Sequence, residues 1–474
     1  MTMHSSAELR TERDMLGART LPAESLFGIH TQRAVENFPI SGIRVGDFPD
    51  LVRALAMVKL AAARANHDLG VLEADKLDAI EGACRLLIGG QHHDAFVVDM
   101  IQGGAGTSTN MNANEVIANL GLDRLGRARG DYAALHPNDH VNRSQSTNDV
   151  YPTALRLALI LAANPLKSEL DRLISALRDR ATAFSTVLKL GRTQLQDAVP
   201  MSLGAEFSAF ATGLEQEARQ VSAALEELHV VNLGGTAIGT GINTPAGYSP
   251  AAISHLAAIS GLPVTAAADF IDASSDMGAL VSLSGALRRL AVRLSKMCND
   301  LRLLSSGPRA GIGEIELPAV QAGSSIMPGK VNPVIPEVVS QIAYRVIGHD
   351  VTVSFAAEAG QLQLNAMEPV IGHSLLDALK LLAAGMRTLT DQCVSGIKAR
   401  PERCRALLDA STAMCTPMVP VIGYERAAEL AGATLAQGRA LADLAVEAGY
   451  LSVEDFSALE RAACALPDAG KASL

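Results

Sequence analysis

A chain of 474 residues with 48% hydrophobic and 19% charged side chains is too long for one core and too apolar for disorder, so two or three folded domains are expected. Aromatic residues reach only 3%, tryptophan is absent and the formal charge is −10. Stacking platforms and a basic footprint are both missing, which excludes a nucleic-acid reader.

Residues 1–14 are polar and carry Glu8, Arg10, Glu12 and Arg13, with no apolar signal core. No run approaches the ~20 consecutive apolar residues that span a bilayer. A cytoplasmic chain with no membrane partner is expected. Up to residue 144, short helical patterns alternate with Gly- and Pro-rich turns, and residues 1–144 are read as an N-terminal mixed helical domain. His92-His93 stands alone in this stretch and is expected to be solvated.

From 145 to 400 the apolar residues recur at spacings of three and four, in runs Leu155–Leu177, Leu203–Leu228, Leu283–Leu304, Val338–Phe355 and Leu375–Cys393. Each run lays one apolar stripe along a helix. Pro165 should kink the first, and the fourth is rich in Val and Ile but too long for an ordinary strand. The fold class expected is all-α, mostly helical, around a central bundle of five long helices. The stripes are wide and rich in Ala, more than one such bundle obviously hides, which points to oligomerisation. Residues 401–474, with Pro417, Pro420 and Gly423, read as a small C-terminal helical domain. The six cysteines (Cys84, Cys298, Cys393, Cys404, Cys415, Cys464) are scattered, with no CxxC pair. They read as buried small residues of a reducing compartment.

Four polar, Gly-rich segments interrupt the helical plan: Gly103–Asn112, His136–Asp139 with Ser144–Asp149, Gly191–Asp197 and Gly323–Pro333. Any one of them alone is explained by helix caps and loops. Together they supply hydroxyls, amides and free N–H groups suited to holding two carboxylates. The fourth lies in a connection of about thirty residues, well beyond the roughly 12–15 tolerated without a role. It places Ser324 and Ser325 near Lys330, whose charge, with exposed N–H groups, could lower the pKa of a serine hydroxyl. No HExxH, GxSxG or His–Cys cluster is present, so neither a metal nor a cofactor is expected. Gly234–Gly241 has the glycines of a dinucleotide loop but no βαβ context.

The string Gly323–Asn332, GSSIMPGKVN, resembles the signature loop of the aspartase/fumarase superfamily, and the other three segments resemble that superfamily's regions in the same order. The resemblance implies three nearly all-helical domains, a homotetramer with a twenty-helix core and active sites shared between subunits. It implies that Ser324 is the base that removes a Cβ proton from a small dicarboxylate. Thr107, Ser146, Thr147 and Ser325 would grip the carboxylate that takes up the charge. Lys330, Asn332, Thr193 and Gln194 would hold the other, with Asn148 near the leaving group. Ser146-Thr147-Asn148, Gln194 and Gln361–Asn365 resemble the ammonia-lyase branch, which turns aspartate into fumarate. A hydratase acting on malate and fumarate, or a catalytically silent relative, are the alternatives.

Overall fold

Ahead of the first helix in the chain, the polar N-terminal segment pairs with itself. The computed structural model describes residues 8–464, and β1 (Leu9–Asp14) and β2 (Gly17–Pro22) form an antiparallel hairpin where short helices were expected. Tertiary anchoring explains the difference. Arg33 clamps Asp14 at 2.7 and 2.8 Å, and Arg10 donates to the carbonyls of Ala23, Ser25 and Phe27. Helix α1 (Ile29–Asn37) follows, its first N–H groups received by the carboxylates of Glu12 and the buried Glu115. A carboxylate at a helix N-terminus offsets both the unpaired N–H groups and the dipole.

Helix α2 (Pro49–Asp68) starts with proline at its first position and is buried almost all round. It packs against α3 (Ala74–Ile88). Helix α4 (Thr107–Arg124) buries an unusual ladder of asparagines, Asn110, Asn112, Asn114 and Asn119. His93 is not solvated as expected, because it is half-buried and its Nε2 lies 2.8 Å from the Leu87 carbonyl.

The five long helices lie where the spacing placed them: α5 (Thr147–Ala183), α6 (Leu203–Glu226), and, after α7 (Tyr248–Ser260) and α8 (Phe270–Ala273), α9 (Gly278–Leu304), α10 (Val334–Glu358) and α11 (Glu368–Gln392). Helix α5 runs without a break through Pro165, which is exposed. Between α5 and α6 stands a second hairpin, β3 (Leu188–Thr193) and β4 (Gln196–Ser202). The chain ends in short helices, α12 (Pro401–Asp409), α13 (Cys415–Ile422), α14 (Tyr424–Gln437), α15 (Leu441–Glu447) and α16 (Val453–Cys464). Met418, Leu430, Ala445 and Phe456 form part of a separate small core there.

Contacts divide the chain into two compact units. One comprises residues up to Leu166, Arg219–Arg289 and Arg345–Leu381, and the other Lys167–Ala218, Leu290–Tyr344 and Leu382 onward. In the first, Ser284 and Arg288 of α9 meet Asp350 of α10, while Arg345 and His349 of α10 meet Asp377 of α11. In the second, Arg178 of α5 pairs with Glu215 of α6, and Arg387 of α11 pairs with Glu169 of α5. Val292 on α9 and Tyr344, Val351 and Phe355 on α10 remain exposed. Among the described residues, no helix is long and apolar enough to cross a membrane. Cys84, Cys298, Cys393 and Cys404 are buried and unpaired.

Candidate active site

In the first unit the first two polar segments meet at the starts of α4 and α5. Thr107 opens α4, and its Oγ1 bonds the Gly104 carbonyl at 2.8 Å. Gly106, just before it, has φ +86°, and a Cβ there would sit 2.5 Å from the ring of Tyr151 on α5. Only glycine permits that approach. Ser146 caps α5: its Oγ accepts the Asn148 N–H at 3.2 Å, while Asp149 Oδ1 accepts the Ser146 N–H at 2.9 Å. This is a reciprocal cap of the kind that fixes a helix start. Asn110 Nδ2 on α4 donates to Thr147 Oγ1 at 3.0 Å and joins the two starts directly.

The Gly234–Gly241 segment forms the floor under this arrangement. The N–H groups of Gly234 and Thr236 reach Asp149 Oδ2 at 2.8 and 3.3 Å, and the Asn148 amide reaches the Ala237 carbonyl at 2.8 Å. Asp149 is fully buried, which pushes its carboxyl up to about 6 against the pull of those N–H groups. Behind it, Lys59 of α2 is also fully buried, and desolvation draws its amine down to about 7 while the Asp149 charge opposes the shift. His136 caps the turn Pro137–Val141 through its own Nδ1, which accepts the Asn138 and Asp139 N–H groups.

The other two segments belong to the second unit. Thr193 ends β3 and Gln194 starts the hairpin turn, where Gln194 and Leu195 both have positive φ, at 55° and 63°. A two-residue turn of that handedness suits the twist of the strands and leaves both side chains exposed. Ser324, Ser325, Lys330 and Asn332 sit on a loop whose neck is closed twice: Gly323 N–H to the Lys330 carbonyl at 2.8 Å, and Asn332 Nδ2 to the Gly323 carbonyl at 2.6 Å. Ser324 Oγ accepts the N–H groups of Ile326 and Met327 at 3.2 and 2.9 Å. Two donors on one hydroxyl oxygen favour negative charge there. The buried Glu314, just before this loop, holds Lys189 and Arg192 of β3 at 3.0 and 2.8 Å. The hairpin and the approach to the loop are thereby pinned together.

Lys59 and Glu314 escaped the reading of the sequence, and Asn110 and Asp149 lay within its polar segments without a role of their own. Two of them carried a signal: the Ser146-x-x-Asp149 spacing is that of a cap, and Lys59 stands alone in an otherwise apolar helical stretch. Among the described residues no group of three or more His, Cys, Asp and Glu side chains comes together as a metal site would need.

The helical fold and its polar, Gly-rich segments are those of a lyase family, as comparison with known proteins shows. A lyase family model matches residues 17–348 and a fumarase C C-terminal model matches residues 414–462, so the chain belongs to the aspartase/fumarase superfamily of lyases. It is 56% identical over 450 residues to an aspartate ammonia-lyase of Pseudomonas canavaninivorans, covering 95% of each chain. The Escherichia coli aspartate ammonia-lyase is 49% identical over 449 residues, 94% of each chain. Among solved structures, a Brucella melitensis protein described as fumarate lyase:delta crystallin, bound to cobalt, superposes with a TM-score of 0.93 at 54% identity, covering 96% of this chain and 98% of that one. A class II fumarase of Schistosoma mansoni superposes with a TM-score of 0.90 at 35% identity, covering 95% and 98%.

Proposed function

We propose that the protein is a carbon–nitrogen lyase that converts L-aspartate reversibly to fumarate and ammonia. The observation that carries this is the 49–56% identity, over nearly the whole chain, to curated aspartate ammonia-lyases from several bacteria. The activity those relatives are named for, applied to a chain that keeps Ser324, Lys330 and Asn332, is the reading adopted.

In this reading Ser324 Oγ, held as an anion by the Ile326 and Met327 N–H groups, takes a proton from Cβ of aspartate. The electron pair left on Cβ spreads into the adjacent carboxylate as an enediolate. Thr107, Ser146, Thr147 and Ser325 hold that carboxylate. Donors fixed where charge develops stabilise the transition state without reorganising. The pair then forms the Cα–Cβ double bond as the Cα–N bond breaks, with its electrons leaving on ammonia, near Asn148. Lys330, Asn332, Thr193 and Gln194 hold the other carboxylate throughout. We further propose a cytoplasmic homotetramer whose active sites draw on more than one subunit, with domains at 1–144, 145–400 and 401–474. The exposed Tyr344, Val351 and Phe355 on α10 support burial of that face against other copies.

Absorbance at the fumarate band tests the activity directly. With aspartate supplied, absorbance rises; with fumarate and ammonium supplied, aspartate forms. Formation of malate from fumarate and water, with no aspartate, would overturn the proposal in favour of a hydratase.

A further inference from the structure

The hydroxyl of Thr147 is useful to a carboxylate only as a donor, because an ionised carboxylate can only accept. A threonine hydroxyl can do either, and something must decide. Its surroundings do. Thr147 Oγ1 receives Asn110 Nδ2 at 3.0 Å, and the same Nδ2 lies 3.3 Å from Asn142 Oδ1. Asn142 Oδ1 also receives Lys59 Nζ at 2.8 Å and Asn114 Nδ2 at 3.2 Å, while the second acceptor of Lys59 is Gln145 Oε1 at 2.9 Å.

A carboxamide has two ends of nearly equal shape, so a chain of asparagines can run in either direction. Lys59 Nζ faces two carboxamide oxygens and has an N–H for each, three as an ammonium and two as the neutral amine that its lowered pKa admits. Lys59 is 0% exposed and points at Asn142, which must therefore present its oxygen. The Asn142 nitrogen then turns away, to the Gln145 carbonyl at 3.2 Å. Asn110, facing an oxygen, must present its nitrogen, and its remaining N–H falls on Thr147 Oγ1. One lone pair of Thr147 is thereby occupied from inside the protein, and its proton is left to point outward.

The orientation has a cost that stability alone would not select. Three side chains converge on the one oxygen of Asn142, while the buried Oδ1 atoms of Asn110 and Asn114 have no protein partner. An unsatisfied buried acceptor costs roughly 1–3 kcal/mol. Flipping Asn110 would let its oxygen accept from Thr147 only by setting it against the oxygen of Asn142, and flipping Asn114 would set its oxygen against two acceptors, Asn142 Oδ1 and Met111 Sδ.

We propose that Lys59 is a positioning residue: through Asn142 and Asn110 its N–H donors fix the hydrogen-bond polarity of the network so that Thr147 must donate to the substrate. The proposal rests on the reading of Thr147 as a carboxylate-holding group. Lys59 never touches substrate. Its donors act by excluding the arrangement in which Thr147 donates inward to an asparagine oxygen.

A double-mutant cycle between Lys59→Met and Thr147→Val, read by fumarate release from aspartate, tests it. With Thr147 present, Lys59→Met is expected to lower kcat about 10- to 100-fold, with KM changed less than about threefold. With Thr147→Val already in place, the same change is expected to cost less than about threefold, because no hydroxyl remains to be directed. Should Lys59→Met fail to give a folded tetramer, Asn110→Ala takes its place in the cycle and cuts the relay one step later. Equal losses in both backgrounds, or a Lys59→Met enzyme as fast as the parent, would overturn the relay while leaving the lyase assignment intact. A parent enzyme that releases no fumarate overturns the functional reading, and the relay falls with it.

Discussion

Ser324 and Glu368 show how differently one side chain can be used. The Ser324 oxygen is partly exposed and carries two N–H groups, an arrangement for holding charge. Ser324→Ala is expected to lower kcat by roughly a factor of a thousand while leaving folding and dicarboxylate binding near normal. A turnover number close to the parent's would remove Ser324 from the mechanism. Glu368, the first residue of α11, is fully buried with one carboxylate oxygen unpartnered. Burial pushes its carboxyl up to about 8, against the opposing charge of Arg156. A folded-state pKa above the ordinary 4.5 means that the stability associated with the neutral acid is complete below about 4.5 and drains away as pH rises through 8. Glu368→Gln is therefore expected to gain on the parent between pH 5 and pH 9 by a few kcal/mol, at about 1.4 per unit. Thermal melts of both proteins across that range check it, and parallel curves would refute it.

At the level of elements, the first two polar segments meet because helix starts are brought together. The N-terminus of α4 reaches α5 only because Gly106 combines a left-handed backbone with no side chain against Tyr151. Gly106→Ala must meet both the backbone strain and the clash, and is expected to cost about 2–5 kcal/mol. Gly17 also has a positive φ, +113°, but nothing lies within 4 Å of where a methyl group would stand. Gly17→Ala should cost only about 1–2 kcal/mol. Urea titrations of the two variants separate these cases, and equal costs would show that the Tyr151 contact relaxes. The pinning of β3 by Glu314 belongs to the same scale. Lys189, Arg192 and Glu314 commit their charges to holding a hairpin whose exposed tip carries Thr193 and Gln194.

For the whole molecule, the proposed association of copies rests on the exposed face of α10. Tyr344, Val351 and Phe355 stand at seven- and four-residue intervals, on one side of the helix. Tyr344→Glu with Phe355→Lys should place charges where apolar contact is proposed, giving smaller species in sedimentation velocity and a parallel loss of aspartate turnover. A double variant that sediments and turns over like the parent would rule out that face as an interface.

Read from the chain alone, periodicity located all five long helices to within a few residues at most ends, because stripes of Leu, Val and Ala at three- and four-residue spacing have no other economical arrangement. The same reading found the four polar segments, since Gly, Ser, Thr and Asn clusters stand out against an apolar background. It failed where the cause lay far along the chain. The N-terminal part reads as short helical patterns and turns, and the hairpin Leu9–Pro22, held by Arg33, is not among them. Gly234–Gly241 is set aside as a dinucleotide loop, but that Asp149 claims its N–H groups is not visible in the sequence. Lys59 is 88 residues from Thr147 in sequence, yet the two end one hydrogen-bonded chain. Local pattern follows from side-chain type and spacing. The direction of a buried polar network follows from which donors and acceptors tertiary packing forces to face each other, and only the folded chain decides that.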